Sequence, residues 1–289
     1  MSTQAPDISP LPLILIEPAV RAALLEDFGR SGDITTNATI SANTTAKALL
    51  AARENGRIAG MDLAICAFRL LDPTLTISLK INDGNNVNKG DVIATVEGHA
   101  RAILSAERVA LNFLGHLSGI ATATRELVEQ ARGTKARIIC TRKTTPGRRA
   151  FEKYAVRCGG GFNHRFGLDD GILIKDNHII AAGGITKAIQ AARHSAGHMV
   201  HVEIEVDNLA QLEQALAAGA NSILLDNMKP DMLREAVRIT NGRAMLEASG
   251  NINVDTVSAV AATGVDLISS GAITHSARCL DLGLDFLAI

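Results

Sequence analysis

The amino-acid sequence predicts an α/β protein: an open or incomplete (β/α) barrel with a smaller N-terminal α+β sandwich domain. Three observations lead to this fold class. Six short apolar runs in the second half of the chain alternate with helical patterns, which predicts a parallel sheet with right-handed crossovers. Residues 44–98 contain shorter β-like runs divided by turn residues. A long helical pattern over residues 102–131 joins these two regions.

The barrel prediction depends on the spacing of the six apolar runs. The last three intervals between predicted strand centres are 21, 22 and 22 residues, a compact spacing that suits successive βα units. Six strands fall short of the eight in a closed barrel, so an open or incomplete barrel is expected. The predicted strand centres are Ile138, Leu173, Val202, Ile223, Met245 and Leu267.

The N-terminal region begins with a proline-rich stretch and a helix predicted over residues 18–29. Two strands are expected at residues 75–81 and 92–96. The turn between them is rich in Gly and Asn, residues that supply positive φ, so we interpret residues 83–98 as scaffold.

The barrel helices have recognisable ends. Asp207 or Asn208 is expected to cap the helix that stops at Gly219, and Asn253 the helix that stops at Gly264. These patterns place an N-terminal domain at residues 1–114 and a barrel domain at residues 115–274. A C-terminal helix at residues 275–289 is expected to join the N-terminal domain.

Charge is distributed unevenly along the chain. The formal net charge is −1, yet the 44 residues from 132 to 175 contain eleven basic and three acidic residues, so this segment carries +8 and the remainder −9. A concentrated cationic segment in a nearly neutral protein indicates a dedicated anion site.

Composition excludes several other classes of protein. The four cysteines lie far apart, which argues against a disulfide scaffold or a zinc finger and favours a reducing cytoplasm. Aromatic residues are only 3% of the chain, which disfavours stacking on single-stranded nucleic acid. No segment shows a signal peptide or the roughly 20 apolar residues of a membrane helix. We therefore expect a cytoplasmic protein that binds small anions, with no nucleic acid and no membrane as partner.

Polar or charged residues end all six predicted strands. In parallel barrels the carboxyl ends of the strands form the active site. Their chemistry changes from cationic on the early strands to acidic on the middle ones and small on the last two, which indicates three subsites around one ring. These strand ends are Arg142 and Lys143, Lys175 and Asp176, Glu205, Asp226, Glu247 to Ser249, and Ser269 to Gly271.

The last two strand ends favour a phosphate site. Ser249, Gly250 and Asn251 follow one strand, and Ser270, Gly271 and Ala272 follow the next. Hydroxyls and backbone N–H groups with little side-chain bulk are suited to an anion. The alternative is that both are simple glycine turns into helices.

Two carboxylates are expected to face the same mouth, because Glu205 and Asp226 close adjacent strands. Beside phosphates, such a pair binds Mg²⁺ or accepts hydrogen bonds from sugar hydroxyls. Glu203 shares the side-chain direction of Glu205, since strand residues alternate with a period of two. The position at the mouth favours Glu205.

The histidines do not indicate a zinc site. His164 and His178 have no carboxylate at metal-ligand spacing. His164 lies beside Arg165 in the cationic segment, so we interpret it as an anion contact.

Long strings of this sequence resemble the quinolinate phosphoribosyltransferase family. They are ERVALNFLGHLSGIAT from residue 107, TRKTTPGRR from 141, EKYAVRCGGGFNHRFGLDDGILIKDNH from 152, ILLDNM from 223 and LEASGNI from 246. EDFGRSGDITT from residue 26 and SSGAITHSARCLDLGL from 269 also match, so the resemblance spans nearly the whole chain.

The resemblance implies an enzyme that joins quinolinate and phosphoribosyl pyrophosphate, with Mg²⁺, to give nicotinate mononucleotide, pyrophosphate and CO₂ in de novo NAD biosynthesis. It also implies a homodimer whose active sites are shared, each completed by an arginine that corresponds to Arg108. Loss of CO₂ is expected after phosphoribosyl transfer, because the ring nitrogen is then positively charged.

The same resemblance assigns roles to site residues. Implied catalytic residues are Lys143, Lys175, Glu205 and Asp226, the two carboxylates lying near ribose and the metal. Implied substrate contacts are Thr141, Arg142, Lys143, His164, Arg165 and Lys175 for the dicarboxylate and pyrophosphate, and the loops of Ser249, Gly250 and Asn251 and of Ser270, Gly271 and Ala272 for the 5′-phosphate. Some relatives have Gly-Gly where this chain has Gly250 and Asn251.

Two other functions stay open from the residues alone. Lys175 ends a strand, as the Schiff-base lysine of an aldolase-like barrel would, but it lies among cations. A polyanion-binding module without catalysis is the other alternative, which a pI near 6.7 and few aromatic residues disfavour.

Overall fold

Residues 8–287 are described by a computed structural model. In chain order, the elements of the first half are α1 (Leu13–Phe28), α2 (Ile34–Thr39), β1 (Thr45–Ala52), β2 (Gly56–Arg57), α3 (Met61–Leu71), β3 (Thr76–Leu79), β4 (Asn86–Val87), β5 (Val92–His99) and α4 (Ala100–Gln130). Those of the second half are β6 (Arg137–Ile139), α5 (Arg149–Cys158), β7 (Ile172–Ile174), α6 (Asp176–Ala182), α7 (Ile185–Ser195), β8 (Val202–Val206), α8 (Leu209–Ala217), β9 (Ser222–Asp226), α9 (Pro230–Thr240), β10 (Met245–Ser249), α10 (Val254–Ala261), β11 (Leu267–Ser269), α11 (Ala272–His275) and β12 (Leu282–Phe286).

The described chain forms two compact units. Residues 126–149 and 161–276 make up the first, here called the barrel unit. Residues 8–125, 150–160 and 277–287 make up the second, the sheet unit. The predicted domain limits, 1–114 and 115–274, stay a prediction.

The barrel unit contains the expected parallel sheet. Its six strands follow the order β6-β11-β10-β9-β8-β7, with parallel pairing throughout. Each of the six predicted strand centres falls inside one of these strands. Strands β6 and β7 are the two edges of this sheet, so the barrel is open there. Phe162 adds one parallel bridge to Ile139 at the β6 edge.

Helices α7 and α8 pack on the barrel sheet because each has an apolar face. Ile189 on α7 and Leu212 on α8 are fully buried, as are Ile204 and Ile223 on the neighbouring strands. Asn208 accepts a hydrogen bond from the Gln211 N–H at 3.0 Å and so caps α8. Asn253 likewise accepts from two N–H groups at the start of α10. The caps predicted at Asn208 and Asn253 are therefore confirmed, and of Asp207 and Asn208 the second is the cap.

The sheet unit is built on an antiparallel sheet in the order β12-β1-β5-β3. The long predicted helix is present as α4, and its Leu114, Leu117 and Ile120 are fully buried. Gly119 lets the C-terminal segment pack closely, because a Cβ there would lie 2.9 Å from the carbonyl carbon of Arg278. Gly119 therefore has a packing role in this helix.

The turn interpreted as scaffold holds the start of α3. Both carboxylate oxygens of Asp83 accept backbone N–H groups, from Gly60 at 2.9 Å and Met61 at 3.1 Å. The Tyr154 hydroxyl donates to the same carboxylate at 2.7 Å. Burial raises the pKa of Asp83, and these three donors act in the opposite direction.

Two elements differ from the sequence-based expectation. The predicted C-terminal helix at 275–289 is wrong: residues 282–286 form strand β12 on the edge of the small sheet, because Leu282, Leu284 and Phe286 alternate with a period of two. Residues 288 and 289 lie outside the described part. Helix α1 starts at Leu13, so Pro18 is inside it. Proline leaves the Ile14 carbonyl without its helical donor, which is tolerated because Ile14 is 81% exposed.

None of the helices within residues 8–287 is both long enough and apolar enough to cross a membrane.

Candidate active site

A cavity of about 970 Å³ lies at the carboxyl ends of the barrel strands. All of its lining residues belong to the barrel unit. The cavity brings together these predicted site residues: Thr141, Arg142, Lys143, His164, Arg165, Lys175, Glu205, Asp226, Ser249, Gly250, Asn251, Ser270, Gly271 and Ala272. Arg108 is not among them; it is exposed on α4, in the sheet unit.

The cationic segment supplies only part of its charge to this cavity. Four of the eleven basic residues, Arg142, Lys143, Arg165 and Lys175, line it. Lys135 instead forms an ion pair with Asp266 at 2.7 Å. Two other basic residues of the segment also have structural contacts. The Arg137 guanidinium lies 4.8 Å from the Phe162 ring centroid, and Lys153 is buried in the sheet unit.

Two arginines form the most buried part of the cationic wall. The Nε atoms of Arg142 and Arg165 are buried and find no hydrogen-bond acceptor among residues 8–287. Arg165 donates through Nη1 to the Gly171 carbonyl at 2.7 Å. Burial, and then repulsion from Arg142, lower the pKa of the Arg165 guanidinium. A bound anion would supply both the missing acceptor and the missing negative charge.

The loop that carries Lys143 is held from two sides. The Lys143 N–H donates to the Thr141 hydroxyl at 3.0 Å, and the Thr274 hydroxyl donates to the Lys143 carbonyl at 2.7 Å. A Cβ on Gly271 would lie 2.8 Å from Lys143 Cδ. The loop after β11 therefore packs directly on the loop after β6.

The acidic side of the cavity comes from β8 and β9. Lys175 Nζ lies 3.4 Å from Glu205 Oε2. Burial raises the pKa of Glu205; Lys175 lowers it and Asp226 raises it. The influence of Asp226 agrees with the expectation that the two carboxylates face one mouth. Asn227, which was not predicted, donates from Nδ2 to Asp226 at 2.7 Å.

The loop after β10 is shaped by positive φ angles, and the loop after β11 is fixed by hydrogen bonds of Ser270. Gly250 has φ +104°, and a Cβ there would lie 2.7 Å from Asn227 Cγ, so only glycine fits. Asn251 also has positive φ, +51°. The Ser270 hydroxyl is buried and donates to the Ile252 carbonyl at 2.9 Å. Ser270 therefore ties two loops together, and its N–H is bound to the Ile139 carbonyl.

The two histidines of the sequence analysis have protein partners. His178 Nδ1 accepts the Lys175 N–H at 3.0 Å, at the start of α6. His164 Nε2 lies 3.0 Å from Glu203 and 3.8 Å from Glu247. These three side chains have the proximity of a metal site within residues 8–287. However, His164 Nδ1 accepts the Arg165 N–H, which assigns the proton to Nε2 and makes the group a hydrogen-bonded network.

The choice between Glu203 and Glu205 follows from depth along β8. Glu203 is 4% exposed, and Glu205 lines the cavity. Burial, and then the charge of Glu203, raise the pKa of Glu247 well above its ordinary value. The sequence could not reveal this network, because the three residues lie on separate segments that only the fold brings together. His275 and Asn253 also line the cavity and were missed as site residues.

An open parallel α/β barrel whose strand ends hold two guanidinium groups, two lysines, paired carboxylates and glycine loops defines an enzyme for phosphate-bearing, anionic substrates. Comparison with known proteins makes this specific. The family model described as "Quinolinate phosphoribosyl transferase, C-terminal domain" matches residues 120–285, and the N-terminal domain model of the same family matches residues 33–118.

Individual relatives agree with the family models. The chain is 47% identical over 261 residues to a probable nicotinate-nucleotide pyrophosphorylase [carboxylating] of Bacillus subtilis, covering 90% of each chain. It is 44% identical to the enzyme of the same name from Mycobacterium leprae, covering 92% of this chain and 95% of that one. The solved nicotinate-nucleotide pyrophosphorylase of Francisella tularensis superposes with a TM-score of 0.93 at 42% identity, covering 98% and 100% of the two chains. The chain belongs to the quinolinate phosphoribosyl transferase family.

Proposed function

We propose that this protein transfers the phosphoribosyl group of phosphoribosyl pyrophosphate to quinolinate, in de novo NAD biosynthesis. The products are nicotinate mononucleotide, pyrophosphate and CO₂. The observation that carries this proposal is the pair of buried guanidinium Nε donors, Arg142 and Arg165, which find no acceptor in the described part of the chain and line a cavity that also contains glycine loops.

The two arginines suit the pyridine dicarboxylate. Quinolinate presents two adjacent carboxylates in one planar molecule, and guanidinium groups bind planar carboxylates through two parallel hydrogen bonds. Lys143 and Lys175 act as point charges for the pyrophosphate of the second substrate. Thr141 and His164 complete the wall around the dicarboxylate.

The loops after β10 and β11 suit the 5′-phosphate. Ser249, Gly250 and Asn251 on one side, with Gly271 and Ala272 on the other, offer backbone N–H groups without bulky side chains. Since the Ser270 hydroxyl donates a hydrogen bond to the Ile252 carbonyl, Ser270 contributes to the phosphate site by holding the loop in shape.

Glu205 and Asp226 suit Mg²⁺ bound with phosphoribosyl pyrophosphate. Burial, and to a smaller extent the neighbouring Asp226 carboxylate, raise the pKa of Glu205, and a hard divalent cation would offset both effects. When bound, Mg²⁺ would neutralise the charge that develops on the leaving pyrophosphate. The same carboxylates stabilise positive charge on the ribose as its bond to pyrophosphate lengthens.

Loss of CO₂ follows transfer in this proposal. Once the ring nitrogen carries the ribose it is positively charged, so the electron pair left when the C2–carboxylate bond breaks is stabilised by the ring. A proton then replaces CO₂ at C2. In a single turnover, pyrophosphate should form no later than CO₂, and CO₂ released first would contradict this order.

The deciding experiment is release of labelled CO₂ from quinolinate carrying the label in its 2-carboxylate. We expect release that requires both phosphoribosyl pyrophosphate and Mg²⁺. Nicotinate serves as the control acceptor, and equal use of nicotinate would contradict the assignment. Lys175 is assigned to charge stabilisation, since its Nζ pairs with the Glu205 carboxylate at 3.4 Å in a cavity built for anions.

We also propose a homodimer with shared active sites, to which Arg108 contributes across the interface. Its support is the exposure of Arg108 and of large apolar side chains in the sheet unit, such as Ile14 and Leu25. Mixing inactive Arg108→Ala with inactive Lys175→Ala should restore activity if the sites are shared. A monomer in light scattering would contradict the proposal.

Cytoplasmic location is the remaining part of the proposal. Its support is the absence of disulfides among the four cysteines, of which Cys66, Cys140 and Cys158 are buried thiols. Fractionation of the native host, with the protein in a membrane or oxidising compartment, would contradict it.

A further inference from the structure

The interior of the barrel is divided into two cavities. The second cavity, of about 270 Å³, is lined by first residues of strands, including Arg137, Ser222 and Met245, so it lies at the opposite end of the sheet. His164, Arg165 and Glu247 line both cavities and therefore form the partition between them. The position of Arg165 therefore depends on the residues that line the second cavity as well as on those of the first.

Glu203 contacts this partition from the side of the second cavity and does not line the catalytic cavity. It lines the second cavity and not the first. Its Oε1 accepts the Ser222 hydroxyl at 2.9 Å, and its Oε2 accepts His164 Nε2–H at 3.0 Å. Both carboxylate oxygens are therefore used by donors whose positions are fixed by β9 and by the segment at 163–165.

His164 links Glu203 to Arg165 through hydrogen bonds at both of its ring nitrogens. Its Nδ1 accepts the Arg165 backbone N–H at 2.7 Å, so both ring nitrogens are engaged and the ring orientation is set. The Arg165 guanidinium is then anchored at the Gly171 carbonyl, which leaves its buried Nε as a donor for ligand. The charge of Glu203 also opposes the cost of burying Arg165.

Stability alone does not account for a buried carboxylate at position 203. Replacing buried charged groups by apolar residues of similar volume is often neutral or stabilising. A fixed hydrogen-bond geometry is what a carboxylate supplies and an apolar side chain does not. We propose that Glu203 is a positioning residue that acts through His164 to place Arg165 for recognition of a planar dicarboxylate. This inference rests on the proposed function, which gives Arg165 its ligand.

The test compares Glu203→Leu with Glu203→Gln. Leucine removes both acceptors, so the Kd for quinolinate should rise about tenfold or more, as expected for the loss of one well-placed charge-assisted hydrogen bond. The KM for phosphoribosyl pyrophosphate should change by less than about twofold, because within residues 8–287 Glu203 bonds His164 and Ser222, whereas Lys175 pairs with Glu205. Glutamine keeps an acceptor for His164 and should recover most of the affinity.

Three further measurements separate positioning from structure. Ser222→Ala should give a smaller loss in the same direction as Glu203→Leu. Glu213→Leu, a change at an exposed carboxylate on α8, should leave both constants and the melting temperature unchanged. The ¹⁵N NMR spectrum of labelled histidine should show a single Nε2-protonated tautomer for His164 in the wild type and in Glu203→Gln, and a mixture in Glu203→Leu.

The inference would be overturned by an unchanged Kd for quinolinate in Glu203→Leu, or by an equal loss for both substrates. If Glu203→Leu does not fold, the inference is overturned by Ser222→Ala when this variant has an unchanged Kd for quinolinate and an unaltered His164 tautomer. If the wild-type protein fails to bind quinolinate, the proposed function fails instead. The His164 spectrum still tests the positioning by Glu203 in that case, since it needs no substrate.

Discussion

Replacement of Arg165 by lysine separates the charge of this residue from its geometry. Lysine keeps the positive charge but has no planar fork, so it cannot bind the Gly171 carbonyl and a carboxylate of the ligand together. The expected loss is one hydrogen bond to a charged group, about 1.5–3 kcal/mol, which corresponds to a Kd for quinolinate raised about 10- to 150-fold.

Isothermal titration calorimetry with quinolinate measures this change, and differential scanning calorimetry reports the folded state. The Gly171 carbonyl loses its donor, so the unfolding free energy should fall by about 1 kcal/mol and the melting temperature by about 2–4 °C. Arg149→Lys is the matched control: Arg149 belongs to the same cationic segment, but it bonds Thr144 and the Phe166 carbonyl and does not line the cavity.

The outcome distinguishes two explanations of the cationic wall. If Arg165→Lys binds quinolinate as well as the wild type does, the wall acts through net charge and not through the unpaired guanidinium donors. If Arg149→Lys weakens binding to the same degree, the effect is spread over the whole segment. A loss confined to Arg165→Lys supports recognition by directed hydrogen bonds.

Three further predictions concern the other sides of the cavity. Gly250→Ala should raise the KM for phosphoribosyl pyrophosphate at least tenfold, because φ +104° and the contact with Asn227 cost about 1–3 kcal/mol of strain. The control Gly242→Ala, at positive φ in open space, should lower stability only. Equal KM values in the two variants would refute this prediction. Asp226→Asn should raise the Mg²⁺ concentration that gives half of the maximal rate, measured by initial rates, and an unchanged Mg²⁺ titration would exclude Asp226 as a ligand. Burial raises the pKa of Glu205, and the proposed role of Glu205 needs the ionised carboxylate, so kcat/KM should fall on acidification with a midpoint above the ordinary glutamate pKa of about 4.3. Asp226→Asn removes a charge that raises the pKa of Glu205 and should move this midpoint down. A wild-type midpoint at or below the ordinary value would contradict the assignment.

Periodic features of the chain were accessible from sequence because they are local. The alternation of apolar runs and helical patterns located the six barrel strands, and the polar residues that end them point to one cavity. The cap Asn253 was readable for the same reason, since a cap acts on N–H groups two or three residues away, while the other cap was narrowed to Asp207 or Asn208.

Features that depend on contacts between distant segments were not accessible. The C-terminal strand was predicted as a helix, since its pairing with β1 is invisible to local pattern. The +8 segment predicts an anion site, and this stays a prediction. Counting charge could not separate Arg142 and Arg165, which line the cavity, from Lys153, which is buried in the other unit. Burial depends on the topology of the whole chain.

Strand β8 shows how one short sequence supplies two different functions. Glu203 and Glu205 point to the same side of the strand, so periodicity alone could not choose between them. Two residues advance the chain by about 6.6 Å along a strand, and that step moves a carboxylate from the interior, where it binds Ser222 and His164, to the mouth, where it pairs with Lys175. The layered interior of a barrel therefore gives successive inward residues different roles. It follows that variants at 203 should change the binding of one substrate through geometry, while variants at 205 should change the rate itself.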